Sequence, residues 1–455
     1  MKPLLIIFVF ALPLHALIVT YLKCKLLIDT NIIRFWKEII IIILLAVTFF
    51  WTLKRYKFNL SKLYKNNYLL WTITAFIICS IVFLYFPFFE FKKSSFLGFK
   101  YDVFFLFAFL IWLYLWVVKQ NLEVLMKTLF WVTWLIIIIF LPWYLLWDIS
   151  ALTSIFWYSG EVSAYNPNTC ISFAQNVNGE HRFQGSFWWP IRFSVFLATF
   201  YFLYLWFVLD RFHNKDEKLN LKNHKLNALI IIPSLLVISS IFFSYSKTSV
   251  LWFLFGIILF IYLVRKIKLN KKLNKKFIAI LSWVAILPII LIWIFKKDLF
   301  LHLWSVLNRF DNLSKSVEMF FYNPIWYWLG IAWPASQIWK SIESAWSRQI
   351  ATSTVTKTHI FLPENWYVQI LLEQWIVWLS LFISVLVIIW VNIFNIAKNK
   401  KDYTSICLFI SLSILCFMAL FTHSFEESAT SYILFLILWA YISKNKVKAY
   451  NNKKK

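Results

Sequence analysis

Charged side chains are scarce in this sequence, and their scarcity excludes an ordinary soluble fold. Asp, Glu, Lys and Arg make up 15% of the 455 residues, whereas hydrophobic residues make up 61%. A soluble domain is about 25% charged and has no need of apolar runs of about twenty residues, the length that crosses a bilayer. Such runs recur along the whole chain. We therefore predict an all-α polytopic membrane protein with about 12 transmembrane helices.

Cysteine is also scarce, and its positions exclude a disulfide framework. The five cysteines are Cys79, Cys407 and Cys416 inside apolar runs, Cys24 beside a run, and Cys170 in a polar segment. Disulfide frameworks and zinc sites need cysteines at short, recurring spacings. We expect neither a structural disulfide nor a metal ion.

Long apolar runs are what the sequence has in abundance. Each run is long enough to cross roughly 30 Å of hydrocarbon as a helix, and the tenth is long enough to tilt or project from the membrane. The run that follows Lys2 lacks a small-residue cleavage site, so we interpret it as a membrane helix. The runs fall near residues 4–22, 37–53, 68–87, 101–118, 124–146, 188–209, 227–245, 248–264, 277–295, 367–395, 403–421 and 428–443.

Basic residues outnumber acidic ones, 46 to 20, which leaves a net charge of +26. A soluble protein with this excess would be expected to bind nucleic acid. In a membrane protein, Lys and Arg instead accumulate in cytoplasmic loops. The largest basic groups follow even-numbered runs, and weaker groups after the first and third runs disagree. We therefore predict a multi-pass protein of the cytoplasmic (inner) membrane with both termini cytoplasmic and no nucleic acid partner.

This orientation predicts two long extracytoplasmic loops. The interiors of the predicted helices are almost free of charge, and ionisable residues gather at the outer face. A site for exported material would lie on that outer side. The predicted division is helices 1–5 in 1–146, a first extracytoplasmic loop in 147–187, helices 6–9 in 188–296, a large extracytoplasmic loop in 297–366, and helices 10–12 with a basic cytoplasmic tail in 367–455.

Glycine is the scarcest residue relative to expectation, and tryptophan is in excess. The chain has 6 Gly and 27 Trp, whereas ordinary usage predicts about 32 Gly. Trp also recurs at a spacing of four inside predicted helices, as at Trp112 and Trp116, where small residues let helices approach. Interfacial aromatic belts explain Trp at helix ends but not Trp131 or Trp283 within runs. We interpret many of the Trp as Gly encoded by UGA.

Four polar segments between about residues 180 and 440 carry a motif pattern. They are 181–190 (HRFQGSFWWP), 244–249 (SYSKTS), Arg309 followed by 323–330 (NPIWYWLG), and 363–378 (PENWYVQILLEQWIVW). With several Trp taken as Gly, they resemble four elements of the O-antigen ligase and O-antigen polymerase superfamily of membrane glycosyltransferases. These elements are Arg-x-x-Gly-(Ser/Thr)-Phe, Ser-Arg-(Ser/Gly)-Ala, Arg followed by Pro-x-x-Gly-x-Gly-x-Gly, and His-Asn-x-(Tyr/Leu) leading to Glu-x-Gly-x-x-Gly. Lys247 stands where the family usually has Arg, and Glu364 where many members have His.

The resemblance implies transfer of a glycan from a polyprenyl-diphosphate carrier to an acceptor hydroxyl in surface polysaccharide biosynthesis. It implies no nucleotide, metal or other cofactor. The implied partners are the polyprenyl-diphosphate-linked glycan donor, a glycan, lipid or protein acceptor, and membrane lipid. Ligase and polymerase differ only in the acceptor, and both remain open.

A diphosphate leaving group needs cationic donors, and the planar fork of Arg suits phosphate oxygens. We expect Arg309 and Lys247 to bind the diphosphate, with Arg182 as a third cation. Arg182 and Arg309 are equally compatible with ordinary loop cations, and Lys247 with a snorkelling anchor.

The acceptor hydroxyl needs a general base within hydrogen-bond reach. The residues expected to supply or support it are Glu364 as the base, His359 as the substitute base, Asn365 as an orienting group, and His423 and Glu426 as supporting groups in a short outer loop. Glu364 is equally compatible with a helix cap, and His359 with a solvated loop histidine.

Two functions of other classes fit the same chain. One is a lipid-linked glycan flippase or other secondary transporter, and the other is a non-catalytic membrane assembly partner. A transporter would show paired halves and charged groups at mid-membrane. An enzyme would convert lipid-linked glycan in detergent, where no compartments exist, and a flippase would not.

Overall fold

The computed structural model is helical almost throughout the residues it describes. Those residues are 2–26, 28, 35–55, 67–84, 93–115, 121–146, 155, 176–177, 180–187, 189–213, 224–269, 303–322 and 365–453. The helices in these ranges are α1 Lys2–Ala11, α2 His15–Cys24, α3 Trp36–Arg55, α4 Tyr68–Phe83, α5 Lys93–Leu115, α6 Asn121–Leu145, α7 Pro190–His213, α8 His224–Phe243, α9 Lys247–Leu263, α10 Leu303–Tyr322, α11 Trp366–Lys400, α12 Tyr403–Met418 and α13 Ser428–Lys453. A π-helical turn, Val264–Lys268, continues α9, and a 3₁₀ turn, Ser424–Glu426, precedes α13. Asn176–Val177 and Glu180–His181 form a short antiparallel pair, β1–β2.

Helices form at eleven of the twelve predicted apolar runs, because each run is long, apolar and poor in helix breakers. The run at 277–295 lies outside the described residues. Within the described ranges, four helices are long and apolar enough to cross a membrane, or five if a bent pair counts as one span. Four further apolar helices are shorter: Tyr68–Phe83, Ile231–Phe243, Tyr403–Met418 and Ser428–Ile442. The protein is thus a membrane-embedded helical protein.

The first predicted run, 4–22, is not one straight helix. It is divided into α1 and α2, which are bent by 81° across Pro13. Proline has no amide hydrogen and its ring clashes with the preceding turn, so it interrupts the hydrogen-bond ladder. The prediction of a single helix there was wrong because Pro13 was given too little weight.

The helices pack into a bundle with an aromatic core. α7 is among the most buried helices and lies along α8 and α12, while α5 packs against α3 and α13, and α11 against α4 and α12. Phe105, Trp366, Phe382, Phe425 and Phe435 form a contiguous set of aromatic contacts with ring centroids 4.4–6.1 Å apart. These rings join α5, α11 and α13 beneath the site described below.

Apolar side chains also cover much of the outer surface, as expected where the bundle faces lipid. Trp131 is 75% exposed in the middle of α6, and Ile138 is 63% exposed two turns later. In water, such a surface would drive aggregation. In a bilayer these apolar side chains contact the hydrocarbon of the lipid instead of water.

The two ends of the bundle differ in charge. At one end, Lys268 Nζ lies 4.9 Å from the ring centroid of Tyr403, and Lys400 Nζ lies 5.9 Å from that of Tyr441. This end therefore gathers the basic C-terminal residues of α9 and α11. The first turns of α7, α11 and α13 lie at the other end, where the candidate site is found.

Candidate functional site

Buried polar side chains concentrate at the end of the bundle opposite the basic residues. Several contacts between residues far apart in sequence define this end. Lys37 Nζ donates to Ser428 Oγ over 2.8 Å, Lys100 Nζ lies 2.9 Å from Glu38 Oε1, and Arg192 Nε lies 3.7 Å from Glu427 Oε2. The contacts join the first turns of α3, α7 and α13 to the first half of α5.

The N-terminus of α11 is held in place by a side-chain cap. Asn365 Oδ1 accepts hydrogen bonds from the backbone amides of Tyr367 at 3.0 Å and Val368 at 3.1 Å. Ser, Asp and Asn favour this position because they satisfy amides that have no partner within the helix. The amide of Trp366 donates to the carbonyl of Ala419, which fixes α11 against the end of α12. The oxygen of Asn365 therefore has a structural role here.

α11 is broken at Trp375, two turns after it begins. The residue has φ 70° and ψ 171°, whereas the rest of the 35-residue helix is regular. This conformation is essentially restricted to Gly, because a side chain clashes with its own backbone there. Trp375 is a position that the motif comparison assigns to Gly, so the backbone agrees with the hypothesis that Trp here stands for Gly.

Buried tryptophans elsewhere carry a second signal of the same kind. Indole N–H groups normally find an acceptor when buried. Four buried indole N–H groups have none within the described residues: those of Trp252, Trp366, Trp378 and Trp439.

Polar side chains line the segment of α11 just before the break. Gln374 Nε2 donates to Asp102 Oδ2 over 2.5 Å, and Gln374 Oε1 accepts from Ser80 Oγ over 2.8 Å. Asp102 Oδ1 is buried and has no hydrogen-bond partner among the described residues. Asp102 also interacts electrostatically with Glu426, across the α5–loop contact. Both carboxyl groups are buried, and the 3₁₀ turn that carries Glu426 contacts α5.

His423 joins this polar cluster to the first turn of α11. Its Nδ1 lies 2.6 Å from Gln369 Oε1 and 3.5 Å from Glu426 Oε1. Burial, with a smaller effect from Arg192, lowers the pKa of His423 to about 3. The imidazole is therefore neutral at neutral pH, and its contact with Glu426 is not an ion pair.

A second group of predicted residues meets between α7, α8 and α9. Arg182 Nε donates to the carbonyl of Ser244 over 2.8 Å, and the amide of Phe183 donates to that of Phe243. Lys247 is the first residue of α9, one position after the capping residue Ser246. The segments 181–190 and 244–249 are therefore in direct contact.

The first two turns of α7 lie between the two groups. Arg192 faces Glu427 and acts electrostatically on His423, and two residues later Ser194 Oγ lies 2.6 Å from Ser249 Oγ. Ser186 Oγ donates to the carbonyl of Pro13 over 2.7 Å, which adds the α1–α2 bend to the same end.

The structure therefore brings the predicted residues together in part. His423 and Glu426 lie beside the N-terminus of α11, near Asn365, and Arg182 and Lys247 form the second group. Arg309 belongs to α10, which packs against α11, but its side chain is not described. Glu364 and His359 lie outside the described residues.

Several site residues were missed by sequence reasoning. Asp102, Gln369 and Gln374 lie on the buried faces of apolar helices, and Lys100 and Arg192 stand near helix ends. The expectation that helix interiors are almost free of charge was therefore wrong for the first half of α5. An available signal was the presence of Asp102 within the apolar run 101–118, since ionisable groups inside membrane helices are rare and usually functional.

Comparisons with protein-family models, with characterised proteins and with solved structures gave no match. What the structure itself shows is a membrane-embedded helical protein with a buried polar cluster at one end of its bundle.

Proposed function

We propose that the protein is a membrane glycosyltransferase similar to the O-antigen ligases and polymerases. It transfers a glycan from a polyprenyl-diphosphate carrier to an acceptor hydroxyl at the outer face of the cytoplasmic membrane. The observation that carries this proposal is that the described parts of three motif segments, 181–190, 244–249 and 363–378, lie at the same end of the bundle. They are separated in sequence by some 50 to 120 residues, and the first two are joined directly by the hydrogen bonds from Arg182 to Ser244 and from Phe183 to Phe243.

The charges of this end suit a diphosphate donor. Arg182 and Lys247 belong to adjoining turns, and Arg192 stands at the start of α7 beside the polar cluster. Cationic donors at the leaving group stabilise the charge that develops as the bond to the sugar breaks. In the proposed mechanism Arg309 joins them, while Glu364 or His359 receives the proton of the attacking hydroxyl.

The basic residues at the far end of the bundle support an outward-facing site. The basic C-terminal residues of α9 and α11 gather opposite the site, and the positive-inside rule assigns such an end to the cytoplasm. We therefore propose the twelve-span arrangement, with both termini cytoplasmic and two long loops, 147–187 and 297–366, on the side of the site.

The direct test uses the full chain purified in detergent, with an undecaprenyl-diphosphate-linked oligosaccharide as donor and a panel of oligosaccharide and lipid acceptors. We expect a glycosylated acceptor and released undecaprenyl diphosphate, both measured by mass spectrometry. Arg309→Ala and Glu364→Gln should each lower the rate by about 10²-fold, the size of effect seen when one group that stabilises or activates the transition state is removed. Lys127→Ala, an exposed cation on α6 paired with Glu123, should leave it unchanged.

Normal folding with full-rate transfer in either variant would remove that residue from the mechanism. Absence of transfer with every acceptor would contradict the proposed function.

A second candidate is a lipid-linked glycan flippase, and the break in α11 is the observation that favours it. Transporters place substrate and ion sites at discontinuous helices, and buried Asp102 and Gln374 lie beside this break. Reconstituted vesicles with a fluorescent lipid-linked glycan distinguish the two functions. A flippase moves the lipid across the bilayer and leaves it unconverted.

A further inference from the structure

Gln369, which is buried, and His423, which is partly buried, form a pair whose hydrogen bonding is incomplete. Gln369 is fully buried, and Gln369 Nε2 and His423 Nε2 have no hydrogen-bond partner among the described residues. Native proteins leave few buried polar atoms unsatisfied, since each costs about 1–3 kcal/mol. Two such atoms on one contacting pair therefore call for a partner, which ordered water or a bound ligand can supply.

The free atoms are complementary to a hydroxyl group. With Nδ1–H of His423 donating to Gln369 Oε1, the pair leaves an acceptor at His423 Nε2 and a donor at Gln369 Nε2. If the amide of Gln369 is flipped and His423 is the Nε2–H tautomer, Gln369 instead leaves a free acceptor and His423 a free donor. Either way a neutral pair presents one donor and one acceptor, which is what adjacent sugar hydroxyls, each both donor and acceptor, can satisfy. Ions of a single charge sign satisfy only one of the two.

The surroundings of the pair favour a neutral polyhydroxy ligand. Asp102 Oδ1 adds a further free acceptor in the same cluster. Phe425 lies two residues after His423 and packs against Phe382, with ring centroids 5.5 Å apart. Aromatic faces beside hydroxyl-bonding groups are suited to the apolar C–H face and the polar edge of a sugar ring.

We propose that Gln369 and His423 form a saccharide subsite that binds two hydroxyl groups of the glycan substrate. The choice of a saccharide rests on the proposed function. The subsite itself rests on the unsatisfied atoms. It lies one turn beyond Asn365, so a sugar held there would sit beside the N-terminus of α11.

The test distinguishes the roles of the two ring nitrogen atoms of His423. His423→Asn keeps a polar atom near the Nδ1 position and removes Nε2, whereas His423→Gln keeps one near Nε2 and loses the bond from Nδ1. Gln369→Leu removes the donor at similar volume. Binding of methyl glycosides and N-acetylglucosamine to the full chain in detergent is measured by thermal shift, with cyclohexanol as the probe that has a single hydroxyl.

We expect saturable stabilisation of the wild-type protein by at least one saccharide and none by cyclohexanol. His423→Asn and Gln369→Leu should fold and weaken the apparent affinity by about tenfold or more, as for the loss of one buried hydrogen bond. His423→Gln should lose less affinity than His423→Asn. Lys127→Ala should bind as the wild type does.

Two outcomes would overturn the subsite. One is unchanged saccharide affinity in both His423→Asn and Gln369→Leu, which would mean that the atoms are satisfied by water alone. The other is equal stabilisation by cyclohexanol, which would mean that the ligand is not recognised by paired hydroxyls. The proposed function can fail separately from the subsite. If saccharides bind but no glycan is transferred, the enzyme proposal is contradicted and the subsite stands. If glycan is transferred and KM is unchanged in the variants, the subsite is contradicted and the enzyme proposal stands.

Discussion

At the scale of single residues, the clearest conflict between side chain and backbone is at Trp375. Its φ of 70° and ψ of 171° lie in a region that only Gly enters without strain. Lys401 also has a positive φ, 53°, but it ends a helix in the ordinary left-handed conformation. The backbone conformation at residue 375 is one that favours Gly, and this observation does not depend on the motif comparison.

A chain made with Gly at position 375 should be more stable than the chain made as printed, with Trp there, by about 1–3 kcal/mol, because the strain of the disallowed conformation is released. Thermal unfolding in detergent measures the change. Trp390→Gly is the matched control on the same helix. The indole of Trp390 donates to Ser413 Oγ over 2.9 Å from a regular helical turn, so its loss should destabilise. If the chain with Gly at 375 unfolds at or below the temperature of the chain with Trp there, the assignment of Gly to this position is contradicted.

His423 should make the protein less stable in acid. Burial lowers its pKa from 6.5 to about 3 in the folded state, so the unfolded chain binds more protons between these values. The stability that the neutral imidazole contributes is complete above pH 6.5 and is lost as the pH falls towards 3. At pH 5 the loss should be about 2 kcal/mol. Thermal unfolding of wild type and His423→Asn between about pH 4 and 8 checks this, and parallel profiles would contradict it.

At the scale of elements, the extents of most helices could be predicted closely, whereas the break within α11 could not. The run at 37–53 became α3, Trp36–Arg55, and the run at 403–421 became α12, Tyr403–Met418. Apolar length alone determines such elements, since a backbone in lipid must satisfy its own hydrogen bonds. The interruption at Trp375 has no breaker in the printed sequence, because the residue there is an aromatic in place of the expected Gly.

The cap of α11 gives a test at this scale. Asn365→Ala should lower the free energy of unfolding by about 1 kcal/mol, because two helix amides lose their acceptor. Asn365→Asp should retain the stability, since Asp caps as well as Asn. If the two variants unfold at the same temperature, Asn365 is not the cap. If the Asn365→Asp variant is stable but transfer is impaired, the amide nitrogen of Asn365 has a separate role in binding the substrate.

Gly256 shows why a helix crossing depends on a small residue. A Cβ built there would lie 2.5 Å from Ile414 Cδ1 and 2.8 Å from the ring of Phe202. Gly256→Ala should therefore push α9 away from α7 and α12 and destabilise by about 1–3 kcal/mol in thermal unfolding. Leu251→Ala, on the lipid-facing side of α9 at 52% exposure, should change stability less. The opposite ranking would show that the crossing tolerates a methyl group.

At the scale of the whole molecule, the site could be predicted only in outline. The motif segments indicated which residues to consider, and His423 and Glu426 do lie in one cluster. The partnership of Asp102 with Gln374 spans 272 positions, and no local pattern encodes it because it depends on how α5 packs against α11. Likewise, no sequence pattern marks Gln369. Its hydrogen bond to His423 leaves Gln369 Nε2 and His423 Nε2 without a partner among the described residues.

The orientation of the bundle is a prediction about the whole chain, and the exposed ends of two helices test it. In a chain whose five cysteines are replaced by Ser, Phe421→Cys lies at the site end and Lys127→Cys at the other, 39% and 46% exposed respectively. A membrane-impermeant maleimide applied to intact cells should label the first and reach the second only after permeabilisation. The reverse pattern would put the site in the cytoplasm, where a glycan already carried outward on its lipid cannot reach it, and the glycosyltransferase proposal would fail even though the polar cluster were intact.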